Sequence, residues 1–162
     1  MINKFIIIGE ARSGTTSLNG ILNNTLSNPE TKKTQPVLGE PFTLVFKKSD
    51  DPDPCVANSR PLYNYVHGEN GFFSRLPERT IDYINPKRSA AFKIESHTET
   101  PQYVFNDIID LSFSENFGIK ELIRSKDYCE KFLKATSRYN YKYIHLVRQN
   151  FLATAISFWL ST

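Results

Sequence analysis

Apolar and polar positions alternate in blocks along the chain, and each block predicts an element. Residues 5–8 are bulky, largely β-branched and too few for a helix, so they predict a buried strand. Apolar residues then recur at helical spacing from Leu18 to Leu26. By the same criteria we expect strands at 90–95 and 141–147, helices at 78–84, 102–111, 127–139 and 151–160, and a strand or helical turn at 119–123.

Strands that alternate with helices predict an α/β protein with a parallel sheet and crossover helices. Two polar stretches, residues 23–33 and 47–60, predict exposed loops between these elements. A chain of 162 residues can bury one core and hardly two, so we expect a single domain over residues 1–162.

Composition narrows the class of function only slightly. The net charge of +3 comes without a run of Lys or Arg, which argues against a nucleic-acid partner. Cys55 and Cys129 lack metal-ligand spacing and predict free thiols in a reducing compartment. No apolar run reaches membrane-spanning length, and a strand that begins at Lys4 leaves no room for a signal peptide. We therefore expect a cytoplasmic protein without a bound metal.

The segment after the first strand carries the clearest candidate chemistry. Gly9 ends the strand, Gly14 follows five residues later, and hydroxyl residues then open a helix. This order predicts backbone N–H groups that converge on a phosphate-like anion. The spacing fits the ATP/GTP loop G-x-x-x-x-G-K-[ST], but Thr15 stands in place of the lysine and the cation is Arg12, inside the loop. The substitution argues against ordinary nucleotide hydrolysis, although an incidental strand-to-helix turn stays an alternative.

A second strand-to-helix unit closes the chain. The apolar run 144–147 leads directly into Arg148, and Ser157 follows nine residues later in the last predicted helix. Ligands of open parallel sheets bind beyond the carboxyl ends of the strands, where Arg148 is expected. A guanidinium offers a bidentate fork for phosphate, and a hydroxyl adds a donor. The alternative is that Arg148 caps a helix and Ser157 is a surface residue.

Together these motifs resemble those of PAPS-dependent sulfotransferases, where PAPS is 3′-phosphoadenosine 5′-phosphosulfate. Residues 12–18 (RSGTTSL) resemble the 5′-phosphosulfate loop, and Arg148 with Ser157 resembles the 3′-phosphate site. The nine-residue gap is most similar to that of the bacterial carbohydrate branch, which includes nodulation-factor and trehalose sulfotransferases. GEPF at 39–42 and FKI at 92–94 resemble two further segments of that branch.

The resemblance implies a three-layer parallel sheet with flanking helices, the P-loop NTPase-like sulfotransferase core, and PAPS as co-substrate with PAP as product. It assigns Arg12 to the sulfuryl group, and Arg148 and Ser157 to the 3′-phosphate. Glu40 is the first candidate for the general base and His97 the second, with Lys93 assisting at the sulfuryl group; His67 and His145 are expected to be structural or exposed. The 5′-phosphosulfate would be bound by Ser13, Gly14, Thr15, Thr16 and Ser17.

Three points stay open at the level of sequence. Sulfotransferases of this type continue beyond the helix in which this chain stops, so we expect either a C-terminally truncated chain or a minimal core that a partner chain completes. The apolar residues 158–160 then predict self-association. The acceptor is a carbohydrate or glycolipid hydroxyl by resemblance, with a small phenol or alcohol as runner-up. A P-loop nucleotide kinase or NTPase, and a non-catalytic remnant that binds PAPS or PAP, are the alternative functions.

Overall fold

The computed structural model describes residues 4–10, 13–26, 36–46, 65–88, 99–122 and 125–147. Within these ranges the strands are β1 (Lys4–Gly9), β2 (Val37–Gly39), β3 (Gly118–Leu122) and β4 (Tyr141–Leu146). The helices are α1 (Thr15–Leu26), α2 (Pro41–Phe46), α3 (Glu78–Ile84), α4 (Gln102–Glu115) and α5 (Lys126–Thr136), with 3₁₀ turns at Phe73–Arg75 and Asn85–Lys87. The described strands form one sheet, β2-β3-β1-β4, in which every pair is parallel. The predicted α/β class with a parallel sheet is therefore confirmed.

The strand β1 is central, because it pairs along its length with β3 on one side and β4 on the other. Ile6 and Ile7 point to opposite faces, as successive strand residues do, and both are fully buried. Both faces of β1 are thus covered, as is usual for strands of parallel sheets. This explains the unbroken apolar run at residues 5–8, which an antiparallel strand with one solvated face would not show.

The crossover from β1 to β2 is fixed by a side chain of α1. The amide nitrogen of Asn23 donates to the carbonyl of Val37 over 3.0 Å, and the amide oxygen of Asn23 accepts from the Val37 N–H over 2.8 Å. Asn23 thereby satisfies the backbone of β2 as a neighbouring strand would. The prediction of a polar loop is wrong for residues 23–26, because they form the last turn of α1 and the side chain of Asn23 bonds to β2.

By its contacts the chain divides into two compact units. The sheet unit comprises Met1–Glu40, Asn116–Arg124 and Tyr139–Thr162, and the helical unit comprises Pro41–Glu115 and Ser125–Arg138. The prediction of a single domain over residues 1–162 therefore stays a prediction. In the part of the helical unit that the structure describes, no helix is long and apolar enough to cross a membrane, and the same holds for the described part of the sheet unit.

Aromatic side chains form the centre of the helical unit. Phe42 of α2 packs against Phe105 of α4 with ring centroids 4.7 Å apart, and Tyr128 and Phe132 of α5 meet it edge-on at 5.7 and 6.1 Å. All of these rings are buried, and such tilted and edge-to-face pairs are the favourable arrangements of aromatic quadrupoles. The segment GEPF therefore contributes Phe42 to a core.

Most of the predicted helices and strands agree with the structure. The helix predicted at 78–84 has those bounds, and the one predicted at 102–111 extends to Glu115. Ser125 is the N-cap of α5, since its hydroxyl accepts from the Tyr128 N–H. The open alternative at 119–123 is settled as a strand, β3. The predicted elements at 90–95 and 151–160 lie outside the described residues.

His67, in the helical unit, has a pKa well below its ordinary value. Its Nδ1 lies 2.8 Å from Nη2 of Arg88, which can only donate, so the imidazole accepts there as a neutral ring. Burial and the positive charge of Arg88 lower the pKa of His67 from 6.5 to about 4, against a smaller opposing effect of a backbone hydrogen bond at Leu44. The expectation that His67 is structural fits this contact, and His145 on β4 is exposed.

We predict that His67 makes the fold sensitive to acid. Above pH 6.5 the imidazole is neutral in both states, whereas between pH 6.5 and about 4 the unfolded chain takes up a proton that the folded chain excludes. Between pH 7.5 and 5.0 the free energy of unfolding should fall by about 1 kcal/mol more in the wild type than in His67→Gln, after allowance for partial solvent exposure. Urea unfolding at both pH values measures this difference.

The exposed His145→Gln change is the matched control and should keep the pH dependence of the wild type. A His67→Gln variant that loses stability with acid as steeply as the wild type would contradict the neutral, Arg88-bonded imidazole.

Candidate anion-binding site at the carboxyl edge of the sheet

The chain turns back over the end of β1 so closely that only glycine fits at position 9. A Cβ on Gly9 would lie 2.6 Å from the Ser13 Oγ, 2.8 Å from the Leu146 carbonyl oxygen and 2.8 Å from the Thr15 Cγ2. Two of these atoms belong to the loop and the start of α1, and the third belongs to β4. The absence of a side chain at Gly9 therefore sets how near the loop lies to the carboxyl ends of β1 and β4.

Gly14 forms the junction between the loop and α1. Its φ of +92° lies in the region that favours glycine, and its carbonyl accepts the first helical hydrogen bond, from the Leu18 N–H over 3.1 Å. Gly14, rather than Thr15, therefore takes the N-cap position. Gly14 has no side chain with which to cap the helix, and the first-turn N–H groups of Thr15, Thr16 and Ser17 have no acceptor within the helix, as at any helix N-terminus.

The hydroxyl residues of the loop differ in their surroundings. Thr15 is buried, whereas Thr16 and Ser17 are exposed at the start of α1. Ser13 donates its N–H to the Glu10 carbonyl over 3.2 Å, and its hydroxyl oxygen is shielded from solvent. Among the residues that the structure describes, this hydroxyl has no hydrogen-bond partner. A shielded polar atom without a partner is costly, which is the situation that a bound ligand relieves.

Glu40 lies at the same edge of the sheet, directly after β2. Its φ of +49° is a left-handed conformation that is unusual for a residue other than glycine. The Glu40 N–H donates to the carbonyl of Lys120 over 2.7 Å, and its carboxylate accepts from the ammonium of Lys120. Since β3 separates β2 from β1, Glu40 is offset from the glycine loop by two strand spacings, roughly 10 Å.

Lys120, which pairs with Glu40, is a residue that sequence reasoning missed. It lies in β3, its side chain is 4% exposed, and the Glu40 carboxylate with which it pairs is 26% exposed. The signal was present as Lys120-Glu121, two adjacent charges inside the apolar run 119–123, but the partner stands 80 residues away. Lys93, the strand lysine that the sequence analysis singled out, lies outside the described residues, so its role stays a prediction.

Several predicted site residues lie outside the described ranges, namely Arg12, Lys93, His97, Arg148 and Ser157. The predicted site residues that the structure describes are Ser13 to Ser17 beside the start of α1 and Glu40 after β2. In sequence Arg148 follows the last residue of β4 by two positions, and that residue, Leu146, is the register partner of Gly9.

The described residues contain no evident metal site, and the chain has no detected relatives. In the described part of the chain, His, Cys, Asp and Glu form no group of three or more that could hold a metal ion. Searches against protein-family models, curated proteins and solved structures find no match for this chain.

We predict that Gly9 and Gly20 respond in opposite directions to the same substitution. Gly9→Ala should destabilise the fold by about 2 kcal/mol, because the added methyl overlaps the Leu146 carbonyl oxygen and the short side chains of Ser13 and Thr15. Gly20→Ala is the matched control inside α1, where a Cβ meets nothing within 4 Å, and it should stabilise by about 0.5–1 kcal/mol. Urea denaturation followed by circular dichroism measures both, and equal stability of the two variants would contradict the close approach at Gly9.

Proposed function

We propose that this chain is a sulfotransferase that moves a sulfuryl group from PAPS to a hydroxyl of a carbohydrate or glycolipid. The observation that carries the proposal is the shielded Ser13 hydroxyl, which has no partner among the described residues and lies next to the start of α1. The three-layer P-loop NTPase-like core and the PAPS site are parts of the same proposal.

The start of α1 is suited to a tetrahedral anion. The positive end of the helix dipole and the N–H groups of Thr15, Thr16 and Ser17 converge there. An oxygen of the anion at the N-terminus could also accept from the Ser13 hydroxyl, which would satisfy that group. Backbone N–H groups and the Ser13 hydroxyl are therefore the donors that would bind a phosphate or sulfate group in this loop.

The choice of PAPS over ATP rests on two features. Thr15 occupies the position at which an ATP-binding loop has its lysine, and it is 2% exposed at the base of the turn. The cations available by sequence are Arg12 inside the loop and Arg148 just after β4. Arg148 with Ser157 would bind the 3′-phosphate, which distinguishes PAPS from ADP and ATP.

The chemistry asks for charge stabilisation and for proton removal. When bound, PAPS would supply the sulfuryl group, whose bond to the 5′-phosphate oxygen breaks as the sulfur–oxygen bond to the acceptor forms. Arg12 and the N–H groups of α1 would stabilise the negative charge that develops on the departing phosphate oxygen. Glu40 would accept the proton of the attacking hydroxyl, while His97 is the second candidate for this base.

Calorimetric titration tests the donor site directly. We predict that the chain binds PAP more tightly than ADP or Mg-ATP, because only PAP carries the 3′-phosphate. In Arg148→Ala the Kd for PAP should rise at least about tenfold, since a charge-assisted bidentate contact is lost. Arg138→Ala is the matched control, because Arg138 pairs with Asp110 in the helical unit and should leave PAP binding unchanged.

The outcomes separate the alternatives. Mg-ATP binding that equals or exceeds PAP binding and ignores Arg148→Ala would contradict the proposal in favour of a P-loop kinase or NTPase. PAP binding by a chain that never converts PAPS into PAP in the presence of carbohydrate or phenol acceptors would indicate a non-catalytic remnant.

A further inference from the structure

The ion pair between Lys120 and Glu40 is built from a buried cation. The Lys120 side chain is 4% exposed in the middle of β3, where an ammonium without a counter-ion would be strongly destabilising. The Glu40 carboxylate provides that counter-ion. Removal of one member of such a pair leaves the other charge uncompensated, so each residue limits where the other can lie.

The helix α1 lies close to β2 beside the pair. Gly39 is the register partner of Lys120, and a Cβ on Gly39 would lie 3.0 Å from the Asn19 Nδ2 of α1. The space beside Lys120 is thus occupied by α1, and the lysine pairs with the residue that follows Gly39. The Glu40 N–H donates to the Lys120 carbonyl, so Lys120 contacts Glu40 through both its backbone and its side chain.

The conformation of Glu40 needs such a restraint. A φ of +49° is strained for a residue with a side chain, and it persists only when its surroundings determine it. Residues held in this way concentrate at functional sites. Lys120 contacts both ends of Glu40, its N–H and its carboxylate.

We infer that Lys120 is the positioning residue that holds Glu40 in its left-handed conformation, with the carboxylate at the carboxyl edge of the sheet. The role of Glu40 as proton acceptor rests on the proposed function. Lys120 acts through Glu40: it fixes the direction of the carboxylate toward an acceptor hydroxyl, and it is not required for binding of PAP by the loop at α1.

The test combines a structural and a catalytic measurement on Lys120→Met. NMR of the backbone of Glu40 reports its φ through the three-bond N–H to Hα coupling and the short intraresidue distance of a left-handed residue. We expect Lys120→Met to lose this signature. The kcat for conversion of PAPS into PAP with trehalose as acceptor should fall at least about tenfold, with the KM for PAPS and the Kd for PAP unchanged, because a general base contributes about 10²–10⁴-fold.

Two further variants test whether the effect of Lys120→Met is specific to loss of the buried charge. Lys120→Arg retains the charge and should retain both the left-handed signature of Glu40 and at least half of the kcat. Lys142→Met is the matched control on β4, where the lysine is exposed, and it should behave as the wild type. Thermal unfolding of each variant verifies that it is folded under the conditions of the assay.

The possible results distinguish the inference from the proposed function. Retention of the left-handed signature in Lys120→Met, or an unchanged kcat despite its loss, would overturn the positioning role. A wild-type chain that fails to bind PAP would overturn the proposed function and the catalytic role of Glu40, whereas the NMR signature would still decide whether Lys120 positions Glu40.

Discussion

The central position of β1 is the constraint on which both the sheet and the candidate site depend. Its register with β3 and β4 brings Gly9, Leu122 and Leu146 side by side, so these three strands end at the same level of the sheet. This line of strand ends forms the carboxyl edge. Because the chain leaves β1 through a turn that admits no side chain at Gly9, the start of α1 lies directly over that line. The sheet thereby determines where an anion-binding helix end can be.

The same edge carries a second arrangement with a different physical basis. Glu40 and Lys120 form a charged pair in a largely buried setting, whereas the start of α1 offers neutral N–H donors and a helix dipole. The start of α1 favours a bound negative charge, and the pair of Glu40 and Lys120 provides a fixed carboxylate about two strand spacings away. The proposed sulfuryl transfer would use both arrangements, one to stabilise the leaving phosphate and the other to remove a proton from the acceptor.

Local patterns in the sequence predicted much of this fold, and long-range pairing accounts for what they missed. The run at residues 5–8, the spacing of α4 and the capping Ser125 are signals contained within a few neighbouring residues. The three-residue strand β2 was not predicted, because its pairing depends on β3 and on Asn23 rather than on its own pattern. The pairing of Lys120 with Glu40 depends likewise on strand order, which hydrophobic periodicity does not report.

The most direct test of the central claim is an NMR titration of the uniformly ¹⁵N-labelled chain with PAP. The amide signals of Gly14, Thr15, Thr16 and Ser17 should show the largest saturable shifts, because their N–H groups would donate to the 5′-phosphate at the start of α1. Perturbations that leave these four amides unchanged, or that are confined to the helical unit, would contradict the assignment of this turn as the anion-binding site.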